Sequence, residues 1–121
     1  MSSLPKISVI GAGNVGSSAA YRALELNLAD VVLLDIVDGL PQGKALDMTQ
    51  MMSVTGSSSR IIGTTDYSDT KDSDIVIVTS GLARKPGMSR DDLINTNTKI
   101  IKDVTEKVVQ HSPNSIIIVV T

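Results

Sequence analysis

A chain of 121 residues with a formal net charge of −2 has the length of one domain, and at 41% hydrophobic it can bury a core. The mildly acidic balance, two tyrosines and no Phe or Trp give no reason to expect a nucleic-acid partner or an anionic membrane surface. Zero cysteines leave no disulfide framework and no thiolate, no apolar run approaches a membrane span, and the start Met1-Ser2-Ser3-Leu4-Pro5-Lys6 lacks a leader; a cytoplasmic protein is expected.

The first strand-like run covers 6–10 and leads into Gly11-Ala12-Gly13-Asn14-Val15-Gly16. A helix is predicted over 14–28 and a second strand over 31–35, closing on Asp35. A G-x-G-x-x-G alone is weak evidence. Between a strand and a helix, with an acid closing the next strand, it has the context of a dinucleotide-binding fingerprint. Gly11 would allow the tight turn, Gly13 the approach of a pyrophosphate, and Gly16 close helix packing. The helix N-terminus would face the phosphates. Asp35 would accept both ribose hydroxyls of NAD and repel the 2′-phosphate of NADP. The alternative is a glycine-rich turn that binds nothing. Ala19, Ala20, Ala23 and Leu24 share one stripe of this helix, small enough to lie close to a sheet.

A second helix is predicted over 41–54, with Pro41 in its first turn and Gly56 as its stop. Its apolar residues Ala45, Leu46, Met48, Met51, Met52 and Val54 run nearly all the way round. One face would pack on a sheet. The other would meet a second subunit or another part of the same chain. After a Ser57-Ser58-Ser59 loop come strands at 60–64 and 74–79 and, at the end, 115–121. Strands alternating with helices imply an α/β fold with a parallel, doubly wound sheet, in a single domain spanning 1–121.

The loop from Thr79 to Leu93 leaves the fourth strand on the edge where such sheets bind ligands. It carries Arg84, Lys85 and Arg90. Arginine forks suit carboxylates, although a solvated basic loop is also an adequate reading. The helix predicted over 91–110 puts Ile94, Asn97, Ile101, Val104 and Val108 on one stripe, with Asp91 and Asp92 at its positive end. Asn97 is there a polar residue on an apolar face, to be satisfied by nearby backbone. His111 sits near the helix C-terminus, where a positive charge is favoured, and is not assigned as a base. The carboxylates show no metal-ligand spacing, so no metal is expected.

The fingerprint, Asp35, the stretch Pro41-Gln42-Gly43-Lys44-Ala45-Leu46-Asp47 and the loop Gly81–Arg90 together resemble the lactate/malate dehydrogenase family. The likeness is nearest to its prokaryotic, lactate-dehydrogenase-like malate dehydrogenases, and it covers essentially the whole chain. It implies a Rossmann-type NAD-binding domain holding the first five strands, with NAD as cofactor, malate or oxaloacetate as substrate, and a homo-oligomer, dimer or tetramer. The activity implied is the malate step of the tricarboxylic acid cycle. By this resemblance the loop is a lid, Arg84 grips the distal carboxylate, and Arg90 polarises the reacting carbonyl as the catalytic residue of this chain. Gly11, Ala12, Gly13, Asn14, Val15, Gly16, Asp35, Asn97, Val120 and Thr121 become cofactor contacts. Lactate dehydrogenases usually carry glutamine in place of Arg84, which disfavours a lactate or other 2-hydroxy-acid dehydrogenase. A non-catalytic dinucleotide-binding module is the remaining alternative. The family continues past Thr121 with a substrate-binding asparagine, a sixth strand and the domain bearing the catalytic histidine. The 121 residues are therefore expected to be inactive alone, with the last strand an open edge.

Overall fold

The computed structural model describes residues 4–121; Met1–Ser3, which head the segment read as leaderless, lie outside the described residues. The element order is β1 (Lys6–Ile10), α1 (Asn14–Glu25), β2 (Asp30–Leu34), α2 (Leu40–Thr55), β3 (Ile61–Thr64), β4 (Ile75–Val78), α3 (Arg90–His111) and β5 (Ile116–Val119). The strands form one parallel sheet in the order β3-β2-β1-β4-β5. The expected doubly wound sheet is therefore present, and its order reverses between β1 and β4.

Period-two alternation builds a core on each face. Ile7, Val9, Val31, Leu33 and Ile61 pack under Ala20, Ala23 and Leu24 of α1 and Ala45 and Met48 of α2. Ile10, Leu34, Val76 and Val78 point the other way, onto Val104 and Val108 of α3. Strands covered on both sides read as continuous apolar runs, which is why β2 and β4 show no polar alternation and β1 is interrupted only by the buried Ser8. A 3-10 turn at Tyr67–Thr70 packs beside α3 and is too short for periodicity to reveal.

Several boundaries differ from expectation. Helix α1 ends at Glu25 rather than 28, because Asn27 takes a left-handed φ of 54°. Its side-chain oxygen accepts from the Ser57, Ser58 and Ser59 hydroxyls at 3.0–3.2 Å, so the triple-serine loop is tied down. Ile94 is 53% exposed; only the C-terminal half of the α3 stripe, at Val104 and Val108, is fully buried. On the edge strand β5, Ile116 and Ile118 are likewise exposed.

Helix α2 turns Pro41, Ala45 and Met48 inward and leaves Leu46, Met51 and Val54 exposed, so its second apolar face is bare in this chain. Its first turn presses on β3 at Gly63, where a Cβ would overlap the Pro41 carbonyl. A buried hydroxyl network ties β1 to the C-terminal end of α3. Ser73 Oγ donates to the Thr70 carbonyl at 2.6 Å, which leaves Ser8 Oγ as the donor in their 2.6 Å contact. Ser112 Oγ accepts from the Ser73 N–H and donates to the same carbonyl.

Candidate functional site

Parallel strands put all their carboxyl ends on one edge. The glycine-rich turn after β1, Asp35 after β2, Thr79–Leu82 after β4 and Val120–Thr121 after β5 all lie there. The reversal in strand order opens a crevice at that edge.

The turn is shaped by its glycines. Gly11 adopts φ +115°, and its N–H donates to the Leu34 carbonyl at 2.7 Å. A Cβ at Gly16 would overlap the Gly11 carbonyl, so only glycine lets α1 start so close to the strand it follows. Gly13 differs, for nothing lies within 4 Å of where its Cβ would stand. The space above it is open. The first bond of α1 runs from the Ser17 N–H to the Gly13 carbonyl at 2.9 Å. Among the described residues no acceptor takes the N–H groups of Asn14, Val15 or Gly16, so the positive helix end faces that open space.

Asp35 lies one residue past β2. Its Oδ2 accepts from the Ala12 N–H at 2.7 Å and its Oδ1 from the Val37 N–H at 3.1 Å. These bonds aim the carboxylate across the turn and leave each oxygen a lone pair for another donor. The Ala12 carbonyl is held in turn by Lys44 Nζ at 2.5 Å and by Ser17 Oγ at 3.1 Å. Lys44 belongs to α2, so its contact here is long-range and was missed in the sequence.

Gly11, Gly13 and Asp35 line a cavity of about 320 Å³ with Ile36, Tyr67 and Ile100 among its apolar walls. Burial, then the charges of Asp103 and Asp35, push the Tyr67 phenol up to about 12, so this wall is neutral near pH 7. Lys107 sits 5.3 Å from the ring centroid, and His111 stacks at 6.5 Å while its Nδ1 meets the Lys107 carbonyl at 2.9 Å. His111 thus packs at the end of α3 opposite Arg90. Tyr67 and Ile36 are wall residues that the sequence reading passed over. One available signal was the apolar run continuing past Asp35 into Ile36 and Val37.

The cationic loop occupies the same edge. Arg84 is exposed, and its Nε donates to the Met88 carbonyl within the loop at 3.2 Å. Arg90 opens α3 behind Ser89, whose hydroxyl accepts from the Asp92 N–H at 3.0 Å while Asp92 accepts from the Ser89 N–H. Among the described residues the ion pairs are Arg22–Glu25 and Lys107–Asp103, so neither Arg84 nor Arg90 has a carboxylate partner. A second, more open groove of about 670 Å³ brings Arg90 together with Asn97 and Thr121; Arg84 lines neither cavity. Asn97 Oδ1 accepts from the Leu82 N–H at 2.7 Å and its Nδ2 donates to the Leu82 carbonyl at 3.3 Å. The Val120 N–H donates to the Val78 carbonyl, and Thr121 Oγ1 donates to the Ser80 carbonyl. No helix among the described residues is long and apolar enough to cross a membrane.

An open glycine floor, unpaired helix N–H groups and an aimed acid at a strand-order reversal define the class: an α/β dinucleotide-binding domain. The chain belongs to the lactate/malate dehydrogenase family, whose NAD binding domain matches residues 5–121. A malate dehydrogenase of Heliobacterium modesticaldum is 58% identical over 116 residues, covering 96% of this chain and 38% of the relative. The apo structure of Picrophilus torridus malate dehydrogenase superposes with a TM-score of 0.94 at 47% identity, over 97% of this chain and 38% of that one. Archaeoglobus fulgidus malate dehydrogenase in complex with NADH gives a TM-score of 0.89 at 45% identity, over 96% and 40%. The chain thus spans about 38% of the length of the curated relative it matches.

Proposed function

We propose that this chain is the NAD-binding part of an NAD-dependent malate dehydrogenase, a cytoplasmic enzyme interconverting (S)-malate and oxaloacetate. The observation that carries the substrate is a pair of guanidiniums with no carboxylate partner among the described residues, Arg84 on the loop beyond β4 and Arg90 at the start of α3, at the same edge as Asp35. The open floor at Gly13 and the free N–H groups of α1 fit a pyrophosphate. Gly11 through Gly16, with Ala12, Asn14 and Val15 between the glycines, would form that cradle. Asp35 would take the adenosine ribose, and Asn97, Val120 and Thr121 would border the nicotinamide end. Bound there, the nicotinamide supplies or accepts the hydride. Arg84 would hold the distal carboxylate, while Arg90 would stabilise charge developing on the carbonyl oxygen. Residues 1–121 would form one nucleotide-binding domain, completed by the rest of a longer polypeptide.

The cofactor is tested by titrating the chain with NADH and NADPH while following cofactor fluorescence; the absence of Trp keeps the protein background low. NADH is expected to bind about tenfold or more tighter, because Asp35 repels the additional phosphate. Asp35→Ser is expected to shrink that gap. Equal affinity for both cofactors in the parent would remove the role given to Asp35. The substrate is tested by whether the full-length protein reduces oxaloacetate.

The bare face of α2, with Leu46, Met51 and Val54 exposed, supports a homo-oligomer, dimer or tetramer, with Met giving adaptable packing. Sedimentation of the full-length protein at micromolar concentration is expected to show a dimer or larger, and Leu46→Glu to shift it toward monomer. A monomeric parent would leave that face to another part of the same polypeptide.

A further inference from the structure

Two consecutive peptide groups of the glycine-rich turn are held by opposite charges. The Ala12 N–H, in the peptide joining Gly11 to Ala12, donates to the Asp35 carboxylate at 2.7 Å. The next peptide joins Ala12 to Gly13, and its carbonyl accepts from the Lys44 ammonium at 2.5 Å and from Ser17 Oγ at 3.1 Å. Lys44 reaches it from α2, 32 residues further along the chain. It is half-buried and has no carboxylate partner among the described residues, so its charge is directed at a neutral carbonyl. A trans peptide points its N–H opposite to its carbonyl. With the Ala12 carbonyl drawn toward Lys44, the Gly13 N–H points the other way. That N–H has no acceptor among the described residues, and nothing stands within 4 Å of the Gly13 Cβ position.

We infer that Lys44 is a positioning residue for diphosphate binding, acting through the Ala12–Gly13 peptide: it fixes the direction of the Gly13 N–H and makes that N–H a stronger donor. The inference rests on the reading of the turn as the cradle of a dinucleotide. A cation on the carbonyl end polarises a peptide, and hydrogen bonds in such a chain strengthen one another. Packing alone does not explain the choice of residue. An apolar side chain would serve that purpose, whereas an ammonium taken partly out of water with no counter-charge costs free energy. An anion on the open floor offsets that cost, because it meets the polarised N–H and balances the charge behind it.

The test measures ADP and adenosine binding to the full-length protein and its Lys44 variants by calorimetry. The two ligands share the adenine and the ribose that Asp35 would hold, and they differ by the diphosphate. Lys44→Met keeps nearly the same side-chain length and removes both charge and donor, while Ser17 Oγ remains on the carbonyl. It is expected to weaken ADP about tenfold and adenosine by less than about threefold. Lys44→Arg keeps a cationic donor and should hold ADP within about threefold of the parent. If Lys44→Met does not fold, Lys44→Gln takes its place, with the same split at smaller size. Equal losses for ADP and adenosine, or no loss for either, would overturn the proposal and leave Lys44 a support of α2. A parent that binds ADP but not NADH removes the dehydrogenase cofactor reading, and the ADP comparison still decides Lys44. A parent that binds neither removes both.

Discussion

Arg84→Gln in the full-length enzyme is expected to cut the preference for oxaloacetate over pyruvate, measured as the ratio of kcat/KM values, by about a thousandfold. The effect follows from what Arg84 lacks. It is exposed, meets the Met88 carbonyl within its own loop, and has no carboxylate partner among the described residues. In the free protein water solvates the guanidinium, and removing it costs little stability. When substrate displaces that water the balance changes. A dicarboxylate offers a bidentate partner, whereas a methyl group offers none and strands a desolvated cation, at a cost of roughly 3–5 kcal/mol. Glutamine is neutral, so it removes the penalty against pyruvate along with the attraction for oxaloacetate. The melting temperature of the variant should stay close to that of the parent. An unchanged preference ratio would take the distal-carboxylate role from Arg84.

Gly63→Ala is expected to destabilise the protein by about 3 kcal/mol, at the upper end of overpacking substitutions. A Cβ at this position would overlap the Pro41 carbonyl oxygen and carbon and crowd the Gln42 nitrogen. These are backbone atoms, so no rotamer change relieves the contact. Either β3 or the first turn of α2 must move, and Pro41 is buried there. Within α2 itself, Gly43 has nothing within 4 Å of its Cβ position. Gly43→Ala should therefore stabilise the helix by about 0.5–1 kcal/mol through propensity alone. Urea unfolding of the two variants beside the parent gives the comparison. Equal midpoints for Gly63→Ala and the parent would mean that the α2–β3 contact relaxes freely.

The two glycines show what was legible beforehand. Gly11, Gly13 and Gly16 form a spacing that the sequence displays, and the turn it implies is local. Gly63 has no such signature, because the atoms that forbid its side chain arrive from Pro41 through the packing of α2 on β3. Lys44 is hidden in the same way. Its motif was visible, but its contact with the Ala12 carbonyl depends on how α2 lies against the turn. The parallel sheet was readable because β1, β2 and β4 are covered on both faces and carry apolar runs, broken only by Ser8 in β1 between Ile7 and Val9. Periodicity overstated Ile94, whose stripe is fully buried only near Val104 and Val108. For Asn97 the expectation that nearby backbone satisfies its amide matches the Leu82 contacts. That the backbone in question is Leu82, fifteen residues away on the loop after β4, could be read only from the fold.

The Lys44 contact has a thermodynamic consequence. Helix α2 lies outside the strand-turn-helix unit that forms the glycine-rich turn, yet one of its side chains holds that turn at Ala12, whose N–H orients Asp35. Displacements of α2 are therefore transmitted to the Asp35 carboxylate. Such linkage runs in both directions with equal free energy. A ligand that orders Ala12 stiffens α2, and a neighbour that stiffens α2 tightens the ligand by the same factor. In the proposed oligomer, with the bare face of α2 covered by a second subunit, α2 would be the lever that makes assembly and cofactor affinity a single equilibrium.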